Sequence, residues 1–543
     1  MEDLSYLSCP NPAQLRYKSI NEVLHERTME FPDKEIVIQR LVGGGRRSLT
    51  YRELLNRSTG VAKYLISRGI MPGDSVAIIG PNSIEWIIGE FAIFLTGAVA
   101  VPINKTSESV PEKIKLLKAS QSKAVLFDPE SDEELMSEMD ASFNSDEDKL
   151  DVLLLQKSAL SFLPSLNDVT ITTNETSIVL PRIQPESSAM IYTTSGSTGV
   201  PKMVEMTHLA IVNASYIAFL GTGGDRPSAK CYNDGLFTWI GGSPIFSILN
   251  GNARVFADIA IGLKKEKLMA VWNIIISEQC TNAIFFPHTV LDLIENQDAI
   301  LKKGYKMYAI ATGGQMINKH LSEVCGKLTE NLFLEYGSTE AGIVSFTELK
   351  LGTDVGYVGP LFPGYEVKVI GDNDDTLTRG HLGEILIKSL FMLKSYRNAY
   401  KLNEECFTDG GWFRTGDIGI ITMEGRLFVK GKSTDVIKRG GVTVLVSHVE
   451  TAMIELPEVR EIVVLAVPDV RLFEEICACV VLEVDSNITE VELDRKCRMT
   501  LGDNVLGSAP SYLLRFDVFP RLRNGKSDKV LIKKLAMERL KLD

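Results

Sequence analysis

The 543-residue chain has little histidine (six residues) and a deficit of positive charge, with 58 Lys+Arg against 70 Asp+Glu and a formal net charge of -12. A chain of that sign is not held to nucleic acid by phosphate neutralisation, so no nucleic-acid partner is expected. Its eight cysteines (Cys9, Cys231, Cys280, Cys325, Cys406, Cys477, Cys479, Cys497) make no CxxC pair and no framework spacing. That pattern argues against a disulfide scaffold and against a zinc site. The longest apolar run, Phe91 to Ile103, has 13 residues, short of the roughly 20 that a membrane-spanning helix needs. The first residues carry acids where a signal or transit peptide carries positive charge, and the last three, Lys541-Leu542-Asp543, are not a peroxisomal address. A cytoplasmic location is the expectation, and the oligomeric state is left open.

What is present is an ordinary globular composition, 45% hydrophobic and 24% charged, in a length that suggests two to four domains at roughly 100–200 residues each. The acidity is local. Ten acidic residues and one lysine lie between Asp128 and Lys149, which accounts for -9 of the net charge. Like charges repel, so this stretch reads as a solvated loop, away from any nucleotide site.

Thr50 followed by Glu53 reads as a capping box opening a helix, with Leu54, Val61, Ala62 and Leu65 as its apolar stripe and Gly69 as its stop. Pro72-Gly73-Asp74 then turns the chain into a buried strand from Ser75. Helical patterns and short apolar strands alternate to about residue 390, which points to α/β architecture with parallel sheets. After residue 410, Gly- and charge-rich turns take over, followed by strands such as Glu461–Val467 and Ile476–Leu482. The expected organisation is a large N-terminal α/β domain, residues 1–433, and a small α+β C-terminal lid domain, residues 434–543, joined by a hinge near Thr434.

The strongest chemical signal is Tyr192-Thr-Thr-Ser-Gly-Ser-Thr-Gly-Val-Pro-Lys202. Gly196 and Gly199 let backbone N–H groups approach an anion, Thr194, Ser195, Ser197 and Thr198 offer hydroxyl donors, and Lys202 adds a positive charge. The loop suits a polyphosphate. It is not a Walker A loop, because Val200-Pro201 stands where a glycine must precede the lysine.

With this loop, Tyr336-Gly-Ser-Thr-Glu340, Thr415-Gly-Asp417, Gly431-Lys-Ser-Thr-Asp435, Ile437-Lys-Arg-Gly-Gly441 and Pro520-Arg-Leu-Arg-Asn-Gly-Lys526 occur in order. In these segments the chain resembles the acyl-adenylate-forming superfamily, which contains acyl-CoA synthetases, adenylation domains and beetle luciferases. The resemblance covers nearly the whole chain. It implies that residues 194–202 fold over the β- and γ-phosphates of ATP, that Thr339 bonds the α-phosphate, and that Glu340 holds Mg²⁺. It further implies that Tyr336 stacks near the adenine, that Gly314 and Gly337 belong to the ATP site, and that Asp417 takes the ribose. Lys432 stands where the family usually has a ribose-binding arginine, which loses the planar fork.

Lys526 is expected to meet the carboxylate and α-phosphate oxygens during acyl-adenylate formation. After a lid rotation, Lys438 would serve the thioester step, and Gly440-Gly441 would line the CoA tunnel. By position, His208, Trp239, Gly242, His288 and Gly313 are expected at the acid pocket. Thr434, Val446 and His448 depart from the family pattern. The resemblance implies an ATP-dependent ligase that converts a carboxylic acid, with a medium- or long-chain fatty acid favoured, to acyl-AMP and then to acyl-CoA. Adenylation of an aryl or amino acid for a separate carrier, luciferase-like oxygenation, and a non-catalytic binder are the alternatives.

Overall fold

The computed structural model describes residues 3–10, 15–103, 109–128, 133–143, 149–158, 161, 163–172, 178–194, 202–217, 229–258, 267–313, 327–350, 353–354, 356–432, 436–439, 442–469, 472–483, 486, 488–501, 508–521 and 527–542. It divides into two compact units. One comprises residues 7–366 and 387–413, and the other residues 1–6, 367–386 and 414–543.

The larger unit is built on two sheets. The seven-stranded sheet contains a parallel set: Ser188–Thr194, Val99–Ile103, Ser75–Ile79, Ser122–Phe127 and Asp151–Leu154. Antiparallel Lys202–Thr207 and Ser395–Tyr396 extend it at one edge. Its central strands are short apolar runs buried on both faces, as parallel strands under helices must be. The eight-stranded sheet runs parallel through Thr329–Ser338, Met307–Gly313, Asn282–Ile284, Lys230–Tyr232, Ala253–Ala257 and Glu35–Arg40. Antiparallel strands, Gly342–Glu348 and Arg46–Thr50, close its two edges. This arrangement is the α/β architecture expected from the alternating pattern.

The helix Tyr51–Ser67 forms as its sequence specifies. The Thr50 side chain accepts from the Glu53 N–H while Glu53 reaches back to the Thr50 N–H, and Leu54, Val61, Ala62 and Leu65 face the core. The long apolar run resolves into the end of a core helix and a strand. In helix Ile84–Thr96 all 13 residues are buried, and Gly97 in the left-handed region (φ 77°) turns the chain into strand Val99–Ile103. At the start of that helix Glu85 is paired with Arg47 at 2.5 Å, whereas Glu90, at its centre, has no cation beside it among the described residues.

The acidic stretch is corrected in part. Helix Glu133–Ser142 lies within it, and Leu135 and Met139, four residues apart, are buried in a core cluster with Leu117, Val125 and Phe127. Glu134, Glu138 and Asp140 are exposed on a helix anchored by those two apolar side chains. Residues 129–132 and 144–148 lie outside the described residues.

The smaller unit contains the sheet ordered Tyr6–Cys9, Tyr365–Ile370, Gly383–Ser389, Phe413–Ile421, Leu427–Lys432, some of whose strands also run into the larger unit. It also holds a sheet in which Val459–Asp469 and Phe473–Leu482 pair antiparallel over their full length. Helices Val446–Ile454 and Glu490–Leu501 contribute Val449, Met453, Leu493 and Cys497 to one cluster on this sheet. Helix Lys529–Leu540 contributes Ile532 and Ala536 to another. A buried pair, Arg439 to Glu475 at 2.6 Å, ties strand Val436–Arg439 to its neighbour. The hinge position Thr434 lies outside the described residues.

Candidate active site

The two strands that flank the hydroxyl-rich loop form an antiparallel pair, with Thr194 opposite Lys202. Ser195, Gly196, Ser197, Thr198 and Gly199 lie outside the described residues, as do Gly314, Gly440, Gly441 and Lys526. The backbone of Lys438 is placed in strand Val436–Arg439, but its side chain is not described, nor is that of His288.

Lys202 and Glu340, far apart in sequence, are brought to one aromatic side chain. Lys202 Nζ lies 5.3 Å from the centre of the Tyr396 ring, and Tyr396 Oη donates to Glu340 Oε1 at 3.0 Å. Burial, with the Glu340 carboxylate beside it, pushes the Tyr396 phenol up from its usual range, so it stays a donor. The Leu393 N–H donates to the Glu340 carbonyl at 2.7 Å, which fixes the acid's backbone to the same segment. Tyr396 carries no motif and was not singled out in the sequence.

Glu340 presents one carboxylate, with one oxygen committed to Tyr396. Among the described residues no three His, Cys, Asp or Glu gather as in an all-protein metal cage. A lone carboxylate that leaves other positions to phosphate and water is the donor set that suits Mg²⁺.

Beside this group lies a cavity of about 310 Å³, in the range of small-molecule sites of roughly 300–1,000 Å³. Gly337, Ser338 and Thr339 form part of its wall, and Ile240, Phe246, Ile284, Phe286 and Ile343 give it a mostly apolar lining. Gly337 is required by close approach: a Cβ there would stand 2.0 Å from the Gly342 carbonyl oxygen. Glu335 also lines the cavity, and removal from solvent pushes its carboxyl up to about 7.

Of the positions expected at the acid pocket, Gly313 is on the wall. Trp239 stands behind it, its ring edge-on to Phe286 with centroids 5.7 Å apart. Gly242 packs under Gly235, where a Cβ would meet the Leu236 carbonyl oxygen at 2.1 Å; its neighbour Gly241 faces the cavity. His208 is placed in the core instead. It is fully buried at the start of helix His208–Ile217, edge-on to Phe94 at 6.0 Å, and its Nδ1 accepts from the Ile20 N–H at 3.3 Å. Burial pushes it down to about 4, so the ring is neutral and not a partner for a carboxylate.

In the smaller unit, Asp417 and Lys432 face each other across an antiparallel pair of strands. Lys432 Nζ is 2.7 Å from Asp417 Oδ1 and donates to the Thr415 carbonyl at 3.2 Å. Asp417 is mostly buried while Lys432 is half exposed. The two residues expected at a ribose are thus adjacent.

Residues 24–397 match the family model of the AMP-binding enzymes, and residues 448–526 match that of the AMP-binding enzyme C-terminal domain. The chain belongs to the AMP-binding enzyme family. This is the acyl-adenylate-forming superfamily that its motifs resemble. Among its relatives is the mitochondrial medium-chain acyl-CoA ligase ACSF2 of Danio rerio, 24% identical over 99% of this chain and 91% of that protein. The long-chain-fatty-acid–CoA ligase FadD13 of Mycobacterium tuberculosis is 28% identical over 89% of this chain and 92% of that one. The fold matches the crystal structure of the anthranilate CoA ligase AuaEII in complex with anthranoyl-AMP. The TM-score is 0.82 at 20% identity, covering 98% of this chain and 99% of that one. No helix among the described residues is long and apolar enough to cross a membrane.

Sequence reasoning missed Tyr396 and Arg254, which is fully buried on the cavity wall. A lone charge inside the apolar strand Ala253–Ala257 was the available signal.

Proposed function

We propose that this AMP-binding enzyme is an ATP-dependent acid–CoA ligase acting on an acid with a carbon chain of medium length. The observation that carries the reading is the cavity whose wall includes Thr339, next to a Glu340–Tyr396–Lys202 group. An apolar chamber beside anion-stabilising groups is what a carboxylic acid and a triphosphate need in order to meet.

In the first step a carboxylate oxygen of the acid attacks the α-phosphorus of ATP. The bond to the bridging oxygen breaks and pyrophosphate leaves. Thr339 is proposed to bond the α-phosphate, and Thr194 through Gly199 with Lys202 to stabilise the charge that builds on the leaving group. Lys526 is proposed to bring the two anions together, a gain of proximity and charge neutralisation. Glu340 would hold Mg²⁺, which supplies charge neutralisation at the phosphates when bound. Asp417 and Lys432 are proposed to orient the ribose.

In the second step the CoA thiol, losing its proton, attacks the acyl carbon and AMP leaves with its phosphate oxygen. Residues from 434 onward are proposed to act as the lid that admits the thiol, with Gly440 and Gly441 along its path and Lys438 serving this step. Relatives with acyl-CoA ligase names support the choice of CoA as acceptor. The cavity volume supports the choice of chain length.

The test is pyrophosphate release over a panel of acids, with and without CoA and with oxygen removed. CoA-dependent AMP production is the expected result. Release indifferent to CoA would point to a separate carrier as acceptor, and no release with any acid would overturn the proposal.

A further inference from the structure

The cavity carries a charge that the proposed reaction does not use. Arg254 sits in strand Ala253–Ala257, whose other residues are Ala, Val, Phe and Ala. The parallel register sets Arg254 in one row with Cys231 and Asn282, and all three lie on the cavity wall. The arginine is 1% exposed. Its Nη2 donates to the Gly242 carbonyl at 2.8 Å and its guanidinium lies 5.6 Å from the centre of the Phe237 ring, but its Nε makes no hydrogen bond. Ser243, the residue after that carbonyl, is also on the wall, its hydroxyl set toward the Tyr192 phenol.

Burial pushes the guanidinium down only to about 10, so it is charged at neutral pH. Asp234 is the carboxylate that acts on it at a distance. Asp234 Oδ2 accepts from Tyr232 Oη at 3.0 Å, and among the described residues no ion pair joins it to Arg254. A desolvated cation without a contacting anion is costly, and an anion bound in the cavity offsets that cost. The planar guanidinium fork fits a carboxylate in particular.

The position separates this charge from the reacting end. Four strand spacings of the eight-stranded sheet lie between the strand of Arg254 and the strand that leads to Thr339, about 19 Å at roughly 4.8 Å each. One small group cannot serve both ends, and the wall between them is largely apolar. We infer that the acid activated here carries a second carboxylate at the far end of its carbon chain, held by Arg254. This inference rests on the acid–CoA ligase reading.

The test is kcat/KM for CoA-dependent AMP formation on length-matched straight-chain acids, each pair ending in a methyl or in a second carboxylate. A third set ends in a primary amide, a neutral acceptor. The wild-type enzyme should prefer the dicarboxylic acid at its best length by on the order of tenfold or more, with the amide between. Arg254→Met should abolish that preference while methyl-ended acids still react, and Arg254→Lys should recover part of it. Preference for methyl-ended acids at every length overturns the inference, and the wild-type ratio decides this even if Arg254→Met does not fold. A dicarboxylate preference that survives in folded Arg254→Met protein overturns it as well. If methyl-ended acids react and dicarboxylic acids do not, the ligase reading stands and the inference fails; if no acid yields AMP, both fail.

Discussion

Replacing Glu90 by glutamine should stabilise the protein, increasingly so as the pH rises. Glu90 is fully buried in a helix that is buried on every side, and the one polar side chain that acts on its carboxyl is the Trp86 indole, too weakly to offset the burial. Burial pushes its carboxyl from 4.5 up to about 8. A folded-state value above the unfolded one means that the folded state holds the proton more tightly. The favourable contribution is complete below about pH 4.5 and is lost as the pH rises toward 8. The slope over that window is about 1.4 kcal/mol per pH unit, so about 3 kcal/mol is lost between pH 5 and pH 7. Glutamine has the same shape and no proton to lose, so Glu90→Gln removes the slope. Chemical denaturation of both proteins at pH 5, 6, 7 and 8 measures it, with tryptophan fluorescence as the signal. Trp86, one turn earlier on the same buried helix, reports on this region. The stability difference should grow by about 1.4 kcal/mol per unit in favour of the variant. A difference that stays constant from pH 5 to pH 8 would refute the reasoning, because it would mean that Glu90 is ionised and paired in the fold.

Three further outcomes are expected. Lys432→Arg should tighten ATP, read as a lower KM, because a planar fork can grip both Asp417 and a ribose hydroxyl; no tightening counts against a ribose role for this pair. Gly241→Leu should lower kcat/KM for longer acids while leaving the melting temperature nearly unchanged, since Gly241 lines the cavity and a Cβ there meets nothing within 4 Å. Equal losses for short and long acids would show that Gly241 does not bound the acid. Tyr396→Phe removes a hydrogen bond to a carboxylate, worth about 1.5–3 kcal/mol, and should shift the Mg²⁺ dependence of activity; an unchanged dependence would sever Tyr396 from Glu340.

The parts of the fold legible in the sequence were those set by local chemistry. The Thr50–Glu53 box fixes its own helix start with two reciprocal hydrogen bonds, and Ser75–Ile79 is too apolar and too short to be anything but a buried strand. Motif order singled out Thr339, which lines the cavity, Glu340, which meets Tyr396, and Asp417 and Lys432, which pair with each other. What was not legible depended on distant partners. His208 follows the hairpin of the hydroxyl-rich loop in sequence, yet its helix start turns the ring toward Phe94 and Ile20, elements laid down far earlier in the chain. Arg254 acquires meaning only when strand pairing sets it beside Cys231 and Asn282. The acidic stretch hid a helix because ten charges outweighed Leu135 and Met139, whose four-residue spacing was the one helical clue.

The central claim is that an acid is activated by transfer of AMP. Acid-dependent exchange of labelled pyrophosphate into ATP, measured without CoA, tests it most directly. The account predicts exchange that requires the acid, with AMP accumulating when CoA is then added. No exchange with any acid, or ADP and phosphate as the products, would contradict it.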